Sequence, residues 1–519
     1  MGNEVGDRNK RIAKNTLYLY LRMFLMMAVS LYTSRVVLHT LGAEDYGIYN
    51  VVGGVVAMFG IISASLASAI SRFITFELGR KDIARLKTVF STAVTIQIGI
   101  AVVVCILAEL IAVWFLNTRM NIPVERMQAA NWVLQCSIFT FMVNLVSVPY
   151  NAAIIAHERM NVFAYISLLE AVLKLLIVYL LYVWGFDKLK LYAVLLLMVA
   201  LIIRLVYGIY CKRKFVECTY HFVYDKGILK EMTGFAGWNF IGSSSAILRD
   251  QGGNVILNLF HGPIVNAARG ISVQVNHAVQ SFSDNFIMAL RPQIIKSYAQ
   301  GDRAYMFTLL FQGARLSFYL LLLLSVPILM NVDYLLTLWL KEFPDHTLRF
   351  VTLALLFTLS ESISHPLITA QQATGKIRDY QLVVGGLQLL NLPIAYLLLR
   401  LRGEPEVVLY VALAISQCCL AARLYMLRRN IRLSVKTFLR KVYLNVVVVG
   451  GLSMVLSWFC TRPCAHNFGG FVLSCLVCLV LTLVVELFVG CSGKERAFVW
   501  TKGKSVVIKK LKKYDKHYR

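Results

Sequence analysis

The chain has 519 residues, of which 58% are hydrophobic and only 15% are charged, and its mean hydropathy is +0.67. Soluble proteins carry about 25% charged residues, so this composition excludes a water-soluble globular protein. The formal net charge of +26 would suggest nucleic acid as a partner of a soluble protein, but in a membrane protein it first reports basic cytoplasmic loops. We therefore predict a polytopic membrane protein that does not bind nucleic acid.

Apolar runs separated by short polar gaps predict fourteen transmembrane helices, with twelve as the alternative count. Runs of about 18–25 residues are long enough to cross the hydrocarbon core of a bilayer. The predicted fold class is an all-α polytopic membrane protein, and so little chain lies outside the spans that we do not expect an enzyme. The spans are, in chain order, 16–38, 46–70, 89–114, 129–155, 163–184, 190–211, 233–258, 264–290, 306–330, 347–372, 380–399, 406–427, 439–460 and 468–490.

The sequence contains an internal repeat. The segment VPYNAAIIAHERMNVFAY (Val148–Tyr165) follows one apolar run and HPLITAQQATGKIRDYQL (His365–Leu382) follows another, so that Pro149 matches Pro366. Two six-helix halves are implied. Because six is even, both enter the membrane from the same side, and we expect parallel repeats around a central cavity. The predicted boundaries are 1–211 and 231–427 for the two bundles, 439–490 for two additional helices and 491–519 for a basic tail.

Lys and Arg are distributed unequally between the two sides of the predicted membrane. Thirty-six lie on the side of the N-terminus and nine in the opposite loops. Because basic loops stay in the cytoplasm, we predict that both termini are cytoplasmic. Contact of the basic tail with anionic membrane lipids, at about 1 kcal/mol per charge, is one interpretation, and enforcement of this topology explains the tail equally well.

This topology can be tested with single cysteines in a background that lacks the native thiols. We expect cysteines at Asp45 and Pro344 to react with an impermeant maleimide in intact cells, and cysteines at Lys230 and Lys513 to be shielded. The four positions lie outside the apolar runs, so their reactivity reports the side of the membrane. Labelling at position 513 in intact cells would reverse the predicted orientation.

Predicted helix 8 carries polar side chains along one face. Facing lipid, each central Arg or Asp would cost about 2.5–3.5 kcal/mol, so this stripe must face protein or water. It favours a hydrophilic cavity, and hydrogen bonding between packed helices is the alternative. At 100° per residue the stripe lies within about 60° of one line and contains Arg269, Ser272, Asn276, Gln280, Ser283, Asp284 and Arg291.

Predicted helix 7 has a second polar stripe, with Asn239, Asp250 and Asn254 on one face and Arg249 at its margin. Some cationic residues within the spans are expected to have a structural role and not to bind a ligand. We expect Arg423, late in predicted helix 12, to reach the cytoplasmic interface. The others fall in the opening helix pair of each half and are Arg22, Arg72, Arg249, Arg269 and Arg291.

These arginines predict an anionic ligand. A guanidinium group stays charged and donates paired hydrogen bonds, which suits a phosphate or diphosphate. The candidate ligand-binding residues are Arg22, Arg249, Arg269, Arg291, Asn276, Gln280, Asp284 and Asn239.

Glu361 and His365 lie four residues apart in predicted helix 10. The pair is a weak candidate for a coupling site for H+ or Na+, and a satisfied intramembrane hydrogen bond is the alternative. The phosphate-binding motif GxxxxGK[ST] is absent from the sequence, so no ATP-driven step is expected. We predict no cofactor, no metal site and no catalytic residue.

The N-terminal segment NTLYLYLRMFLMMAVSLYTSRVVLHTLGAEDYGIYN (Asn15–Asn50) carries a spaced signature of Arg35, Leu41-Gly42, Tyr46-Gly47 and Tyr49. With it, the chain resembles the polysaccharide transporter family, the Wzx-type O-antigen and capsule flippases of the multidrug/oligosaccharidyl-lipid/polysaccharide exporter superfamily. The likeness extends over essentially the whole chain, including the fourteen spans and paired halves.

This resemblance implies a bacterial inner-membrane protein that moves an undecaprenyl-diphosphate-linked oligosaccharide to the periplasmic leaflet by alternating access. It implies a cationic central cavity, with Arg22, Arg249, Arg269 and Arg291 as the residues mapped onto it. A polysaccharide polymerase and glycosyltransferases are its expected partners. A cation-coupled multidrug exporter of the same superfamily is the alternative within transport. A scaffold or ligase of polysaccharide assembly is the alternative outside it, although a ligase would need a larger extramembrane loop.

Overall fold

The computed structural model describes residues 2–57, 59–118, 122–183, 187–223, 225–462, 467–493 and 495–497. The described residues fold into helices and connecting turns without a β-strand, which confirms the all-α prediction. The helices are α1 Gly2–Ala57, α2 Gly60–Arg80, α3 Ile83–Thr118, α4 Met127–Ala156, α5 Met160–Val183, α6 Lys188–Lys214, α7 Lys226–Ala299, α8 Arg303–Met330, α9 Val332–Leu340, α10 Thr347–Ser362, α11 His365–Ala373, α12 Arg378–Leu389, α13 Asn391–Arg402, α14 Val407–Ile431, α15 Val435–Phe438, α16 Leu444–Thr461 and α17 Phe468–Val485.

Ten helical stretches of the described chain are long and apolar enough to cross a membrane. They coincide with predicted spans 3 to 6 and 9 to 14, and large apolar side chains such as Leu110, Tyr182 and Leu401 are exposed on them. Exposed apolar side chains of this size suit contact with lipid. The chain is therefore a multi-pass membrane protein. The other four predicted spans lie in α1, α2 and α7, and the total of fourteen stays a prediction.

Two glycines divide the longest helices where the sequence predicts loops. Gly42 in α1 has φ 82° and ψ 166°, and Gly262 in α7 has φ 75° and ψ −171°, both outside the helical region. A residue without a Cβ atom adopts a positive φ at little cost, so the helix axis can change direction at each glycine. The predicted loops 39–45 and 259–263 are thus reduced to single-residue interruptions between helical segments.

The internal repeat is visible in the spacing of the helices. The helices of the second half follow their counterparts in the first half at a nearly constant separation: α8 after α3, α10 after α4, α12 after α5 and α14 after α6. Gly42 and Gly262 are as far apart in the chain as Ile83 and Arg303, the first residues of α3 and α8. The repetition predicted from the sequence is therefore present in the order and spacing of the helices.

The two matching prolines differ in their effect on the helices. The helix α4 continues through Pro149, whereas a turn separates α10 from α11 just before Pro366. A proline inside a helix removes one backbone hydrogen bond and favours a kink or a break. The repeat therefore keeps the position of the proline but not the local helix geometry.

Packing divides the chain into two compact units, and the first comprises Met1–Leu248, Asn285–Leu309 and Ile368–Gly386. An apolar cluster that includes the fully buried Phe90 and Ile154 forms part of its core. Segments from both halves of the sequence meet in this unit. Glu158, in the turn between α4 and α5, accepts hydrogen bonds of 2.6 Å from Gln293 Nε2 and of 2.6 Å from Lys296 Nζ in α7.

The second unit comprises Arg249–Asp284, Leu310–Leu367 and the chain from Leu387 onward. Polar contacts tie its C-terminal helices to α8. Arg315 donates from Nη1 to the carbonyl of Gly490 at 3.1 Å and from Nη2 to Glu495 Oε1 at 2.6 Å. Residues 498–519 of the predicted basic tail lie outside the described residues, and the sequence-based division at 211 and 231 stays a prediction.

Each unit fastens its connecting segments with a carboxylate at the start of a helix. In the first unit, Asp187 caps α6 and accepts a 3.1 Å hydrogen bond from Arg126, which also binds Asp45. In the second unit, Glu406 precedes α14 and lies 2.8 Å from His346 Nδ1. Asp187 and Glu406 each directly precede one of two helices that the repeat relates, so the position of the contact is kept. Its basic partner is Arg126 in the first unit, whereas in the second unit His346 and, at 3.5 Å, Arg349 Nη1 contact Glu406.

Candidate functional site

A cavity of about 330 Å³ lies within the second unit. Both arms of α7 on either side of Gly262 line it, together with α10, His365 at the start of α11, and α14. Its polar and charged lining residues are Arg249, Asp250, Gln251, Asn254, Arg269, Asn276, His277, Gln280, Thr358, Glu361 and His365, and apolar contacts come from Val273, Ala354, Phe357, Leu409 and Ala412.

The reversal at Gly262 assembles the charged part of this cavity. Arg269 donates from Nε to Asn254 Oδ1 at 3.2 Å. In a straight helix, these two residues would be separated by about 22 Å, since each residue adds about 1.5 Å. The contact therefore requires the two arms of α7 to run back along each other, and it brings the predicted polar stripes of helices 7 and 8 together.

Arg249 is neutralised by its neighbour in the sequence. Its Nε and Nη2 atoms donate to the two carboxylate oxygens of Asp250 at 2.8 and 3.1 Å. Its guanidinium carbon also lies 5.1 Å from the centre of the Phe357 ring. A cation held by a carboxylate and an aromatic face adds little net charge to the cavity, so Arg249 shapes the wall and orients Asp250.

Arg269 is the cation of the cavity that lacks such neutralisation. Arg269 is only 8% exposed. Among the described residues, its hydrogen-bond acceptor is the neutral side-chain amide of Asn254. No carboxylate of the described chain lies within 4.0 Å of it, in contrast to Arg249. A buried guanidinium without a counter-ion is costly, and an anionic ligand would reduce that cost.

Glu361 is balanced by an arginine from α14. Arg423 Nη1 lies 3.5 Å from Glu361 Oε1 and donates to Ser364 Oγ at 2.9 Å. Arg423 is 2% exposed. The prediction that it reaches the cytoplasmic interface is therefore wrong, because the carboxylate of Glu361 and the hydroxyl of Ser364 hold it in the interior. His365 lines the same cavity as Glu361.

Apart from the imidazole of His277, the remaining polar groups are uncharged amides and a hydroxyl. Thr358 Oγ1 donates to Asn276 Oδ1 at 2.5 Å, which fixes the side chain of Asn276 between α7 and α10. Gln251 and Gln280 line the cavity beside it. Such groups both donate and accept hydrogen bonds, as recognition of sugar hydroxyls requires. Within the described chain, no three His, Cys, Asp or Glu side chains are grouped as metal ligands.

The structure brings six of the ten residues singled out from the sequence to this cavity: Arg249, Arg269, Asn276, Gln280, Glu361 and His365. The other four lie elsewhere. Asp284 belongs to the second unit but does not line the cavity, and Arg291 belongs to the first unit near the end of α7.

Arg22 and Asn239 are engaged in packing of the first unit. Arg22 donates to Ser167 Oγ at 2.7 Å and lies 4.5 Å from the centre of the Phe163 ring. Asn239 donates to the carbonyl of Ser65 at 3.3 Å and accepts from Gln381 Nε2 at 3.3 Å. These contacts correspond to the interhelical hydrogen bonding that the sequence left open as an alternative for the polar stripes.

Sequence reasoning did not single out the lining residues Gln251, His277, Phe357 and Thr358. It also missed the role of Arg423, which does not line the cavity but pairs with Glu361. His277 follows Asn276 directly and lies just beyond the edge of the stripe, so a wider stripe would have included it. Phe357 and Thr358 belong to an apolar run with no distinguishing pattern. Arg423 had a signal, an arginine within a span, but its partner Glu361 is distant in the sequence and lies on another helix.

Comparison with solved structures places this fold among known transporters. An outward-facing multidrug resistance MATE family transporter of the MOP superfamily is 14% identical with a TM-score of 0.67, over 80% of this chain and 95% of that one. A MOP superfamily transporter from Pyrococcus furiosus, described by a binding pocket of reverse polarity, is 14% identical with a TM-score of 0.65, over 80% and 96%. The MATE transporter ClbM in complex with Rb+ is 16% identical with a TM-score of 0.65, over 82% and 96%.

No curated protein matches the chain by sequence. The family model described as polysaccharide biosynthesis protein matches residues 12–297, which is more than half of the chain. The solved structures that share this fold are transporters. The resemblance that the N-terminal signature suggested is thereby confirmed: the chain belongs to the polysaccharide biosynthesis protein family, with the fold of MATE transporters of the MOP superfamily.

Proposed function

We propose that the chain is a flippase for an undecaprenyl-diphosphate-linked oligosaccharide in surface polysaccharide synthesis, for O-antigen or capsule. It would act in the bacterial inner membrane, with both termini in the cytoplasm, and move its cargo to the periplasmic leaflet by alternating access. The observation that carries this proposal is Arg269, a buried cation with a neutral hydrogen-bond partner, in a cavity whose other lining includes amides, a hydroxyl and two carboxylates that are each paired with another arginine. The guanidinium would hold the diphosphate while the neutral groups bind sugar hydroxyls.

The size of the cavity supports recognition of one part of the cargo. At about 330 Å³ it is near the lower end of the range for small-molecule pockets. A diphosphate with the first part of its sugar chain suits this volume better than a whole oligosaccharide. Asn276 and Gln280 lie about two and three helical turns beyond Arg269 on the same face of α7. They would contact the sugar that is attached to the diphosphate.

A cation-coupled multidrug exporter is the second candidate, because the solved structures include multidrug transporters of the same fold. A site for cationic drugs needs an acidic group that is not already neutralised. Here Asp250 is bound by Arg249 and Glu361 by Arg423, and Arg269 leaves a positive excess. The reverse polarity described for the Pyrococcus furiosus transporter supports the idea that this fold accepts cargo of the opposite charge.

The proposal includes a coupling ion and partners. Glu361 and His365 remain the candidates for an H+ or Na+ site, and the Rb+ complex of ClbM supports ion binding by this fold. A polysaccharide polymerase and glycosyltransferases would consume and supply the cargo. A scaffold or ligase of the same assembly would predict no transfer of lipid by the purified protein.

The experiment uses the purified chain in liposomes that carry a diphosphate-linked polyprenyl oligosaccharide in the outer leaflet. We expect protein-dependent movement of the sugar to the inner leaflet, measured as protection from an impermeant oxidant. A neutral glycolipid of the same chain length is the matched control and should stay accessible. Transport of a cationic dye without lipid transfer would instead favour the multidrug exporter, and transport of neither cargo would favour the scaffold.

A further inference from the structure

A second and larger cavity, of about 840 Å³, lies in the first unit, on the side predicted to be cytoplasmic. It lies between α2, the first turns of α7 and the turn that joins α11 to α12. Four cations line it, Arg72, Lys230, Lys376 and Arg378, and Phe235 and Trp238 form part of its apolar wall. This cavity shares no residue with the cavity around Arg269.

Arg72 forms the buried end of the cavity. The residue is 9% exposed and its Nη2 atom donates to the carbonyl of Ala373 at 3.2 Å. Its Nε atom is buried without a hydrogen-bond partner among the described residues. The guanidinium carbon lies 4.6 Å from the centre of the Phe73 ring and 4.7 Å from that of Phe76. The two rings hold the guanidinium in place, and because aromatic rings offer no strong acceptor, the Nε donor of Arg72 stays available.

The internal repeat supplies a comparison for this cavity. Gly375 follows Glu158 at the same separation in the chain that relates Pro366 to Pro149. The two residues share an unusual backbone, with φ of +59° at Glu158 and +76° at Gly375. The turns after α4 and α11 therefore both place a residue of positive φ two positions after the helix, but one carries a carboxylate and the other no side chain.

In the first half the carboxylate is surrounded by basic and amide groups. Glu158 is 5% exposed and accepts hydrogen bonds from Lys296 and Gln293, and Arg11 Nη1 lies 3.7 Å from its Oε2 atom. The repeat also relates Arg11 to Lys230, since their separation in the chain is nearly that of Glu158 and Gly375. Lys230 lines the cavity around Arg72. In the first half, the carboxylate of the turn thus neutralises the basic side chains that surround it.

In the second half, the position that corresponds to Glu158 is Gly375, and Arg72 lies beside it. A Cβ atom built on Gly375 would lie 2.7 Å from Arg72 Nη2, so the guanidinium occupies the place toward which a side chain would extend. Two carboxylates also line the cavity, Glu231 and Asp379, and Glu231 lies 3.9 Å from Arg85, which is not part of the lining. Four cations against two carboxylates leave a positive excess.

We propose that this cavity binds a phosphate-bearing group, which takes the place that the Glu158 carboxylate occupies in the first half. Arg72 and Lys376 would contact the phosphate, and Phe235 and Trp238 would contact the apolar chain attached to it. The phosphate could belong to an anionic lipid headgroup or to a diphosphate. A guanidinium with an unused Nε donor suits both, since each offers several acceptor oxygens.

The test measures binding of two probes to the full-length protein in detergent. Inorganic diphosphate is titrated by calorimetry, and retention of phosphatidylglycerol against phosphatidylcholine is measured by native mass spectrometry. All proteins carry Arg269→Ala, so that the cavity of the second unit does not contribute. Diphosphate binding would assign a diphosphate-bearing ligand, and selective retention of phosphatidylglycerol without it would assign a lipid headgroup.

The decisive variant is Gly375→Glu, which supplies the missing carboxylate at a φ of +76°, near the +59° of Glu158. The Arg72 guanidinium must shift to admit the new side chain, since the Cβ atom would lie 2.7 Å from its Nη2 atom. We expect binding of the phosphate probe to weaken by at least about tenfold, the equivalent of one charged hydrogen bond. Gly375→Gln fills the same space without charge and should weaken binding less. Arg72→Gln should match Gly375→Glu, and Lys87→Gln, which removes a charge from α3 outside the cavity, should bind as the parent does. Equal binding of the phosphate probe by the parent and Gly375→Glu would overturn the proposal, as would equal retention of both lipids together with no binding of diphosphate.

Discussion

Replacing Arg269 by alanine is expected to abolish flipping at normal expression. The side chain is buried, has a neutral hydrogen-bond partner and supplies the net positive charge of the cavity. A buried contact between arginine and phosphate should contribute more than the roughly 1 kcal/mol of an exposed ion pair. Surface polysaccharide and the amount of protein in the membrane are measured together in cells that lack the native copy.

Conservative and matched substitutions separate charge from packing. Arg269→Lys should restore flipping only partly, because a point charge replaces a planar group with paired donors. Arg462→Ala removes a cation that lies 3.8 Å from the centre of the Trp458 ring, away from the cavity, and should leave flipping unchanged. If Arg269→Ala lowers the amount of protein, the residue is structural. Normal protein with normal polysaccharide would remove Arg269 from the binding site.

Replacing Glu361 by glutamine is expected to reduce the amount of folded protein as well as transport. Arg423 is 2% exposed and Glu361 is its carboxylate partner at 3.5 Å. Removing one member of a buried ion pair costs about 3–5 kcal/mol, because the remaining charge is left buried. Thermal unfolding in detergent and the yield of monodisperse protein report this effect.

The double variant Glu361→Gln/Arg423→Gln tests whether the pair also couples transport to an ion. It removes both charges and should restore most of the folded protein, since neither charge is then left alone. If Glu361 carries the driving proton, the double variant should bind substrate yet fail to accumulate it against a gradient. Full transport by Glu361→Gln at normal protein level would contradict both the structural and the coupling role.

The sequence predicted the helices well because hydropathy is a local property. The predicted span 468–490 and the candidate membrane span Phe468–Gly490 coincide, and ten of the predicted spans have such a counterpart. The repeat was also accessible, since the matching segments around Pro149 and Pro366 follow equivalent apolar runs. The helix interruptions at Gly42 and Gly262 were predicted in position, although loops were expected where single glycines suffice.

The site was predicted less completely because a helical face does not identify the helix that it meets. The stripe of predicted helix 8 runs through residues with different surroundings: Arg269 lies in the cavity, while Arg291 belongs to the other unit. The pairing of Glu361 with Arg423 depends on how α10 and α14 pack, which no pattern within either helix specifies. Asn239 was expected to meet a ligand but packs against Gln381 and Ser65.

The reversal of α7 at Gly262 has a consequence for how this stretch of sequence can vary. Asn254 and Arg269 meet because the number of residues on each side of the glycine sets both the height and the rotation of their side chains. One residue inserted between Gly262 and Arg269 would turn the guanidinium by about 100° and shift it by about 1.5 Å along the helix. The segment is therefore sensitive to a change of length in a way that exposed loops are not.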